Sequence, residues 1–105
     1  MFNSNLPEPD LVKTVLEPLL DDFQYWFSRS RTLLESETIP FLTSEEHIDL
    51  LDRVIQTQQE VTTVQSLLRI TDGQAGVDTS VLVNWHHLVS ECWQVSMKLR
   101  SRKSS

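Results

Sequence analysis

The chain contains very little glycine and only one cysteine. Its two glycines, Gly73 and Gly76, lie almost together in a sequence of 105 residues. All-β folds need many turns, and many turns need glycine, so this scarcity favours a few long elements over many short strands. The single cysteine, Cys92, excludes an internal disulfide and is most simply explained by a reducing compartment.

Long apolar runs and catalytic motifs are also missing. No stretch reaches the roughly 18 apolar residues that a membrane-spanning helix needs, and no charged start followed by an apolar run marks a secretory signal. We therefore expect a cytoplasmic protein without a transmembrane segment. The sequence also lacks a glycine-rich phosphate loop, a nucleophile elbow and a paired Cys-x-x-Cys motif. These absences predict that the chain is not an enzyme and carries no cofactor.

Basic residues are few and are concentrated at the C-terminus. The formal net charge is −6, yet four of the nine basic residues fall within the last eight positions. An acidic body repels phosphate, which argues against a nucleic-acid-binding core. We expect residues 100–105 to form a basic, disordered tail after a helix, and this region is a candidate contact for an anionic partner. Its four basic residues are Lys98, Arg100, Arg102 and Lys103.

Three segments carry apolar residues at steps of three and four, which is the period of an amphipathic helix. They run from Val12 to Leu34, from Ile48 to Leu68 and from Val81 to Leu99. Short connections force neighbouring helices to be antiparallel. We therefore predict a single all-α domain over residues 1–105, built as an elongated up-down-up antiparallel bundle of three long helices. Residues 1–8 are expected to be a flexible lead-in.

Helix boundaries are marked by residues that favour helix ends. Thr43 followed by Glu46 predicts a capping box at the start of the second helix. Gly73 is expected to take the left-handed conformation that ends it, and Asp78 or Thr79 can cap the third. The first apolar pattern keeps its phase through Pro18, so we expect one bent helix there rather than two.

Six of the eight aromatic residues fall into two clusters, one on the first helix and one on the third. The simplest interpretation is that these large rings pack together in the core. Alternatively, some are exposed, because Tyr25 lies off the apolar stripe and Arg29 follows it by one turn. Exposed aromatic residues near an arginine are typical of binding hot spots. The first candidate partner-binding patch comprises Asp21, Asp22, Tyr25, Trp26 and Arg29.

The third helix carries a second candidate patch. His87 and Glu91 are spaced so that both could face one metal ion, but two ligands do not close a site. We therefore predict no metal site, and expect these polar residues to form hydrogen bonds between helices. Cys92 falls on the apolar stripe, where cysteine packs like a small hydrophobic residue. The second patch comprises Trp85, His86, His87 and Trp93.

Three stretches of the sequence resemble one protein family. They are residues 16–27 (LEPLLDDFQYWF), 71–74 (TDGQ) and 85–93 (WHHLVSECW). Together they resemble short cyanobacterial proteins catalogued as domain of unknown function 2605, and the likeness covers nearly the whole chain. The resemblance implies a photosynthetic bacterium as host and a location in the cytoplasm or near the thylakoid surface. It implies no activity, ligand or functional residue.

The sequence favours a non-enzymatic protein–protein interaction module, acting as a helical adaptor or assembly factor. A thin rod leaves much helix surface uncovered, so a homodimer is compatible with this function. The alternative is a small-molecule or pigment-binding bundle with a cavity between its helices. That cavity would be lined by Trp26, Trp85, His86 and Cys92. A third hypothesis, a metal-dependent enzyme, requires convergence of His47, His87 and Glu91.

Overall fold

Three long helices make up the protein. The structure, a computed structural model, describes residues 9–74 and 77–104. Within these ranges α1 spans Pro9–Ser36, α2 spans Ser44–Ile70 and α3 spans Thr79–Ser104, and there is no strand. Helix α1 packs against both of the others and continues through Pro18 as one helix. The predicted all-α bundle is therefore confirmed, while the predicted lead-in over residues 1–8 lies outside the described residues.

The hydrogen bonds between α1 and α2 show that these helices are antiparallel. The amide of Gln65, late in α2, donates to Asp21 at 3.1 Å, and the amide of Gln58, one heptad earlier, donates to Ser28 at 3.0 Å. As α1 advances from residue 21 to residue 28, its partners on α2 therefore run backwards. Side chains at helical spacing on two facing helices can pair in this way only if the helices point in opposite directions.

Contacts between α2 and α3 follow the same rule. On α2, Arg53 pairs with Glu91 of α3. Seven residues farther along α2, Glu60 accepts a hydrogen bond from Trp85, which lies six residues before Glu91 on α3. Helices α2 and α3 are thus antiparallel, and α1 and α3 run in the same direction. The up-down-up arrangement brings the C-terminal halves of α1 and α3 to the same end of the bundle.

The bundle is a rod. Its principal extents are 61, 23 and 18 Å, and its radius of gyration is 16.8 Å. A compact domain of this length has a radius of gyration of about 13 Å, so the predicted elongation is present. In the described residues, none of the helices contains a segment long and apolar enough to cross a membrane.

The core runs along the rod and follows most of the predicted stripes. In α2, Val54, Val61 and Leu68 are buried at seven-residue intervals. Leu50 is also buried, one turn before Val54, although the predicted stripe included Ile48 instead. Ile48 is exposed, because a residue six positions before Val54 points about 120° away around the helix axis.

Ile39 is a core residue that no stripe contained. It lies in the connection between α1 and α2 and is almost fully buried. Its carbonyl accepts a hydrogen bond from the backbone N–H of Leu42 in the same connection, at 3.1 Å. A buried isoleucine here holds the connection against the end of the bundle.

The boundaries of α2 are built largely as predicted. Thr43 Oγ1 accepts from the N–H of Glu46 at 3.0 Å, and the Glu46 carboxylate accepts from the N–H of Thr43 at 2.8 Å. The capping box is therefore confirmed. At the other end, Asp72 as well as Gly73 takes a positive φ, at 52° and 86°. The N–H of Gly73 donates to Leu68 O and that of Asp72 to Arg69 O, which is a Schellman motif with aspartate as its first left-handed residue.

The basic C-terminal segment is helical through residue 104, where a disordered tail over residues 100–105 was predicted; residue 105 lies outside the described residues. Helix α3 extends to Ser104. Lys98 and Arg102 lie over the ring of Phe41, with the Lys98 amine 4.5 Å from its centroid, and Lys103 forms an ion pair with Glu37. These contacts with the α1–α2 connection explain why the helix does not fray: its last turns have partners.

Candidate functional site

A groove of about 690 Å³ lies between α1 and α3. It occupies the half of the rod where these two parallel helices approach their C-termini. One face of each helix supplies its sides, since the lining positions recur at steps of three and four. The lining residues are Trp26, Arg29, Ser30 and Leu33 of α1 and Val89, Cys92, Trp93, Ser96, Met97, Leu99, Arg100 and Lys103 of α3.

The α1 side of the groove carries an ordered aromatic pair. The rings of Tyr25 and Trp26 meet edge-to-face, with centroids 5.2 Å apart and planes at 78°. Arg29 donates to the Tyr25 hydroxyl at 2.9 Å and lies 5.7 Å from the centroid of the ring. Tyr25 and Trp26 remain 53% and 44% exposed. These contacts hold large apolar rings in one orientation on a rigid helix while leaving them accessible.

The α3 side places a second exposed tryptophan across from the first. Trp93 is 57% exposed and Met97, one turn later, is also exposed. Cys92 and Leu99 are buried and form the floor of the groove. The simplest interpretation of the aromatic clusters placed Trp93 in the core, whereas the second candidate patch required it to be exposed. It is exposed, because α3 turns Cys92 and not its neighbour toward α1.

Cys92 is a buried thiol of low reactivity. Burial raises its pKa above the usual value, and a hydrogen bond with Ser30 opposes only part of that shift. Since the thiolate is the nucleophile, a raised pKa keeps the thiol protonated and unreactive at neutral pH. The sequence interpretation of Cys92 as a packing residue agrees with its position.

The charge of the groove differs in sign from that of the chain. Three cationic side chains line it, those of Arg29, Arg100 and Lys103, of which Lys103 is already paired with Glu37 of the α1–α2 connection. Among the described residues that line the groove there is no carboxylate. The whole chain has 15 acidic and 9 basic residues, so positive charge is locally concentrated here. A groove with apolar walls and cationic edges suits a ligand that is apolar in its centre and anionic at its margins.

The first predicted patch is divided by the structure. Tyr25, Trp26 and Arg29 lie together at the groove. Asp21 instead faces α2, where it accepts a hydrogen bond from Gln65. Asp22 is exposed one turn before Trp26, and neither aspartate lines the groove.

The second predicted patch is also divided. Trp85 is only 2% exposed; its ring packs edge-to-face on Phe23 at 5.4 Å, and its N–H donates to Glu60 at 3.0 Å. Trp85 is therefore a core residue and cannot share a surface with Trp93. His86 and His87 are exposed. His86 precedes Trp93 by seven residues and so lies on the same face of α3, about 10 Å further from the end of the rod.

Glu91 forms an ion pair with Arg53 and does not act with His87 as a pair of metal ligands. Its two oxygens each accept a hydrogen bond at 2.8 Å from the two terminal nitrogens of Arg53, which also bonds Asp49 at 2.9 Å. This bidentate pair lowers the pKa of Glu91 and raises that of Arg53. The pair joins α2 to α3.

The metal hypothesis receives no support from the described residues. They contain no group of three or more His, Cys, Asp or Glu side chains placed to hold an ion. His47 lies far along the chain from His87 and is used locally, since its Nε2 is 2.7 Å from the carbonyl oxygen of Leu34. Because a carbonyl can only accept, this ring nitrogen donates to the C-terminal part of α1.

A smaller recess of about 390 Å³ lies near the start of α1. Its lining consists of Lys13, Thr14, Glu17 and Pro18, all from one helix. Because all of its described lining comes from one helix, it is a gap between surface side chains rather than a cleft between two elements.

The fold and the groove define a class: a small three-helix protein with an exposed aromatic, cationic groove on one side of the rod. The chain belongs to the family described as Protein of unknown function (DUF2605), whose family model matches residues 6–101. This membership confirms the resemblance drawn from the three sequence stretches. No match to the chain was found among curated proteins, and none among solved structures.

Proposed function

We propose that this protein is a non-enzymatic interaction module, a helical adaptor or assembly factor that binds a partner protein at the groove between α1 and α3. The observation that carries the proposal is the pair of exposed tryptophans, Trp26 and Trp93, on opposite sides of one groove. Tryptophan, tyrosine and arginine are the residue types most enriched at binding hot spots, and all three line or border this groove. We further propose the cytoplasm of a cyanobacterium as the setting, as the family resemblance implies.

Rigidity supports this assignment. Trp26 is held by Tyr25, which is held by Arg29, and all three lie on a helix of 28 residues. A side chain that is already ordered loses little conformational entropy when a partner covers it. Exposed rings fixed in this way favour binding over simple surface variation.

A small-molecule or pigment-binding bundle is a second candidate. The groove has the volume of many ligand pockets, about 300–1,000 Å³, and two of the four residues predicted for such a cavity, Trp26 and Cys92, line it. The other two do not contribute, because Trp85 lies in the core and His86 lies outside the groove. The half-exposed tryptophans favour a large partner, since a small ligand is normally enclosed on most sides.

The test is co-purification from the native host with tagged protein. Wild type is compared with a Trp26→Ala/Trp93→Ala variant and with an Ile48→Ala/Ile70→Ala control, which removes two exposed apolar side chains from α2. Circular dichroism and thermal unfolding establish that each is folded. We expect a partner protein that the wild type and the control retain and that the tryptophan variant loses.

Recovered partners must then bind the purified wild-type chain directly, measured by calorimetry. Retention by the tryptophan variant would place the interaction elsewhere and contradict the groove as its site. Recovery of a tightly bound small molecule and of no partner protein would favour the second candidate function.

A further inference from the structure

We propose that the groove binds an acidic amphipathic helix of about four turns, which lies between α1 and α3 as a fourth helix of the bundle. This inference rests on the proposed function and specifies the chemistry of the partner at the same site. Three properties of the groove carry it: its length and sides, its apolar centre and its charge.

The dimensions of the groove match a helix. Along α3 it extends from Val89 to Lys103, which corresponds to about 21 Å, or four turns, at 1.5 Å per residue. Both sides are helix faces, and a groove between two parallel helices is where a further helix packs in a four-helix bundle. An amphipathic helix in a groove is also a common mode of peptide recognition.

The apolar centre determines the inward face of the partner. Trp26 and Leu33 on α1 stand opposite Trp93 and Met97 on α3. A helix that covers these side chains needs apolar residues at i, i+3 or i+4, and i+7, so that one stripe faces the groove. Methionine adapts its shape to different partners, and the tryptophans supply large contact areas.

The charge determines the outward edges of the partner. Arg29 lies on the α1 side, while Arg100 and Lys103 lie on the α3 side, where Lys103 also pairs with Glu37. Cations in the last turn of a helix compensate its dipole, which accounts for Lys103 at the end of α3. Arg29 lies two turns before the end of α1, beyond the reach of that effect. Positive charge on both sides therefore favours aspartate and glutamate on either side of the partner's apolar stripe.

The same charges oppose a second copy of this chain as the occupant. In a symmetric dimer each copy uses the same surface, so two grooves would face one another. Arg29 and Arg100 of each copy would then be buried against a surface whose described lining residues include no carboxylate to pair with them. Like charges brought together across an interface cost binding energy, which disfavours a homodimer through this face.

The test is a selection from a displayed library of 16-residue helical peptides. Every peptide carries a fixed apolar stripe, and the flanking positions are randomised among Asp, Glu, Lys, Arg, Ser and Ala. The full chain is the target, in parallel with Arg29→Glu/Arg100→Glu and with Trp26→Ala/Trp93→Ala. The control variant is Arg69→Glu, which reverses an exposed charge on α2 outside the groove. Selected peptides are then synthesised, and their affinities and NMR chemical-shift changes are measured.

We expect the wild type and Arg69→Glu to select peptides of net negative charge. These peptides should bind Arg29→Glu/Arg100→Glu at least tenfold more weakly, and this variant should select net positive peptides instead. The largest shift changes should fall between residues 89 and 103 and around Trp26, and the tryptophan variant should select nothing above background.

Several results would overturn the inference. Peptides of random or positive charge from the wild type would show that the groove does not select an acidic helix. No enrichment at all, or self-association of the chain that Trp26→Ala/Trp93→Ala abolishes in analytical ultracentrifugation, would show that the groove has another occupant. None of these results depends on the native host, so the two proposals can fail separately. If the peptide selection fails but the Trp26→Ala/Trp93→Ala variant still loses a host partner, only the inference is overturned. If no host partner is found, the proposed function fails on its own test.

Discussion

The two interfaces of α1 differ in how completely they are closed. Against α2, α1 buries Leu20 and Phe27 beside Val54 and Val61, all with no exposed surface. A ladder of polar contacts flanks this core, in which the amide of Gln24 donates to α2. Against α3, α1 is closed near Trp85 but open farther along, where the groove begins. The first interface is complete within the chain, whereas the second leaves apolar surface for another molecule.

This contrast explains how α3 can both stabilise the bundle and present side chains to the groove. α3 is anchored at its start by Trp85 and at its end by Lys103, through contacts with α2 and with the α1–α2 connection. Between these anchors, Trp93 and Met97 point to the groove without carrying the fold. Three pairs of variants test the contrast, ordered by the decreasing effect of the first variant in each pair.

The largest effect is expected from Phe27→Ala. Phe27 is fully buried and stacks on Phe23 at 6.0 Å, so its truncation leaves a cavity and should lower the free energy of unfolding by about 3–5 kcal/mol. Trp93→Ala should change it by less than about 0.5 kcal/mol, because this ring is mostly exposed. Urea unfolding followed by circular dichroism measures both. Equal losses in the two variants would show that the groove face is part of the core.

An intermediate effect is expected from Gln24→Ala. The two N–H groups of the Gln24 amide are shared among three acceptors, Thr62 Oγ1 at 2.8 Å, Gln65 Oε1 at 3.2 Å and the carbonyl of Gln58 at 3.3 Å. Loss of a half-buried group with several partners should cost about 1–2 kcal/mol in the free energy of unfolding. Gln94→Ala, an exposed glutamine on α3, is the matched control and should be neutral. A neutral Gln24→Ala would mean that the ladder fixes register without adding stability.

The smallest effect is expected from Glu91→Gln, and it depends on pH. Pairing with Arg53 lowers the pKa of Glu91 in the folded state, so its stabilisation is present above the unfolded pKa and is lost as pH falls through the folded pKa. Both side chains are partly exposed, and the variant should lose no more than about 1 kcal/mol at pH 7. The difference in stability between wild type and variant should shrink as the pH falls below the usual range of a glutamate carboxyl. Asp52→Asn, at an exposed position on α2, is the control; a constant difference between pH 7 and pH 3 would contradict the pairing.

Much of the fold could be predicted because it depends on local signals. The period of the apolar residues determines the three helices, and Thr43 with Glu46 determines where α2 begins. Leu50 and Ile39 were missed for different reasons. Periodicity alone does not distinguish neighbouring faces of a helix when both carry apolar residues, and Ile39 lies in a connection where no period exists.

The candidate site could be predicted only in fragments. Tyr25, Trp26, Arg29, Trp93, Arg100 and Lys103 were all singled out, but in three separate patches. The sequence does not contain the angle at which α3 lies against α1, and this angle decides that Trp85 is buried and Trp93 exposed. One signal for the groove was present in the sequence. The apolar stripe of α1 is wide enough to face two neighbouring helices, and α3 alone does not cover the part of the stripe on its side.

The buried position of Cys92 makes the chain well suited to site-specific labelling. It is the only cysteine in the sequence, and burial raises its pKa, so maleimide reagents should react slowly with the folded wild type. A cysteine introduced at an exposed position such as Gln94→Cys would then be the preferred target without removal of the native thiol. A single fluorophore could thus be attached beside Trp93, where its emission would report whatever enters or leaves the groove.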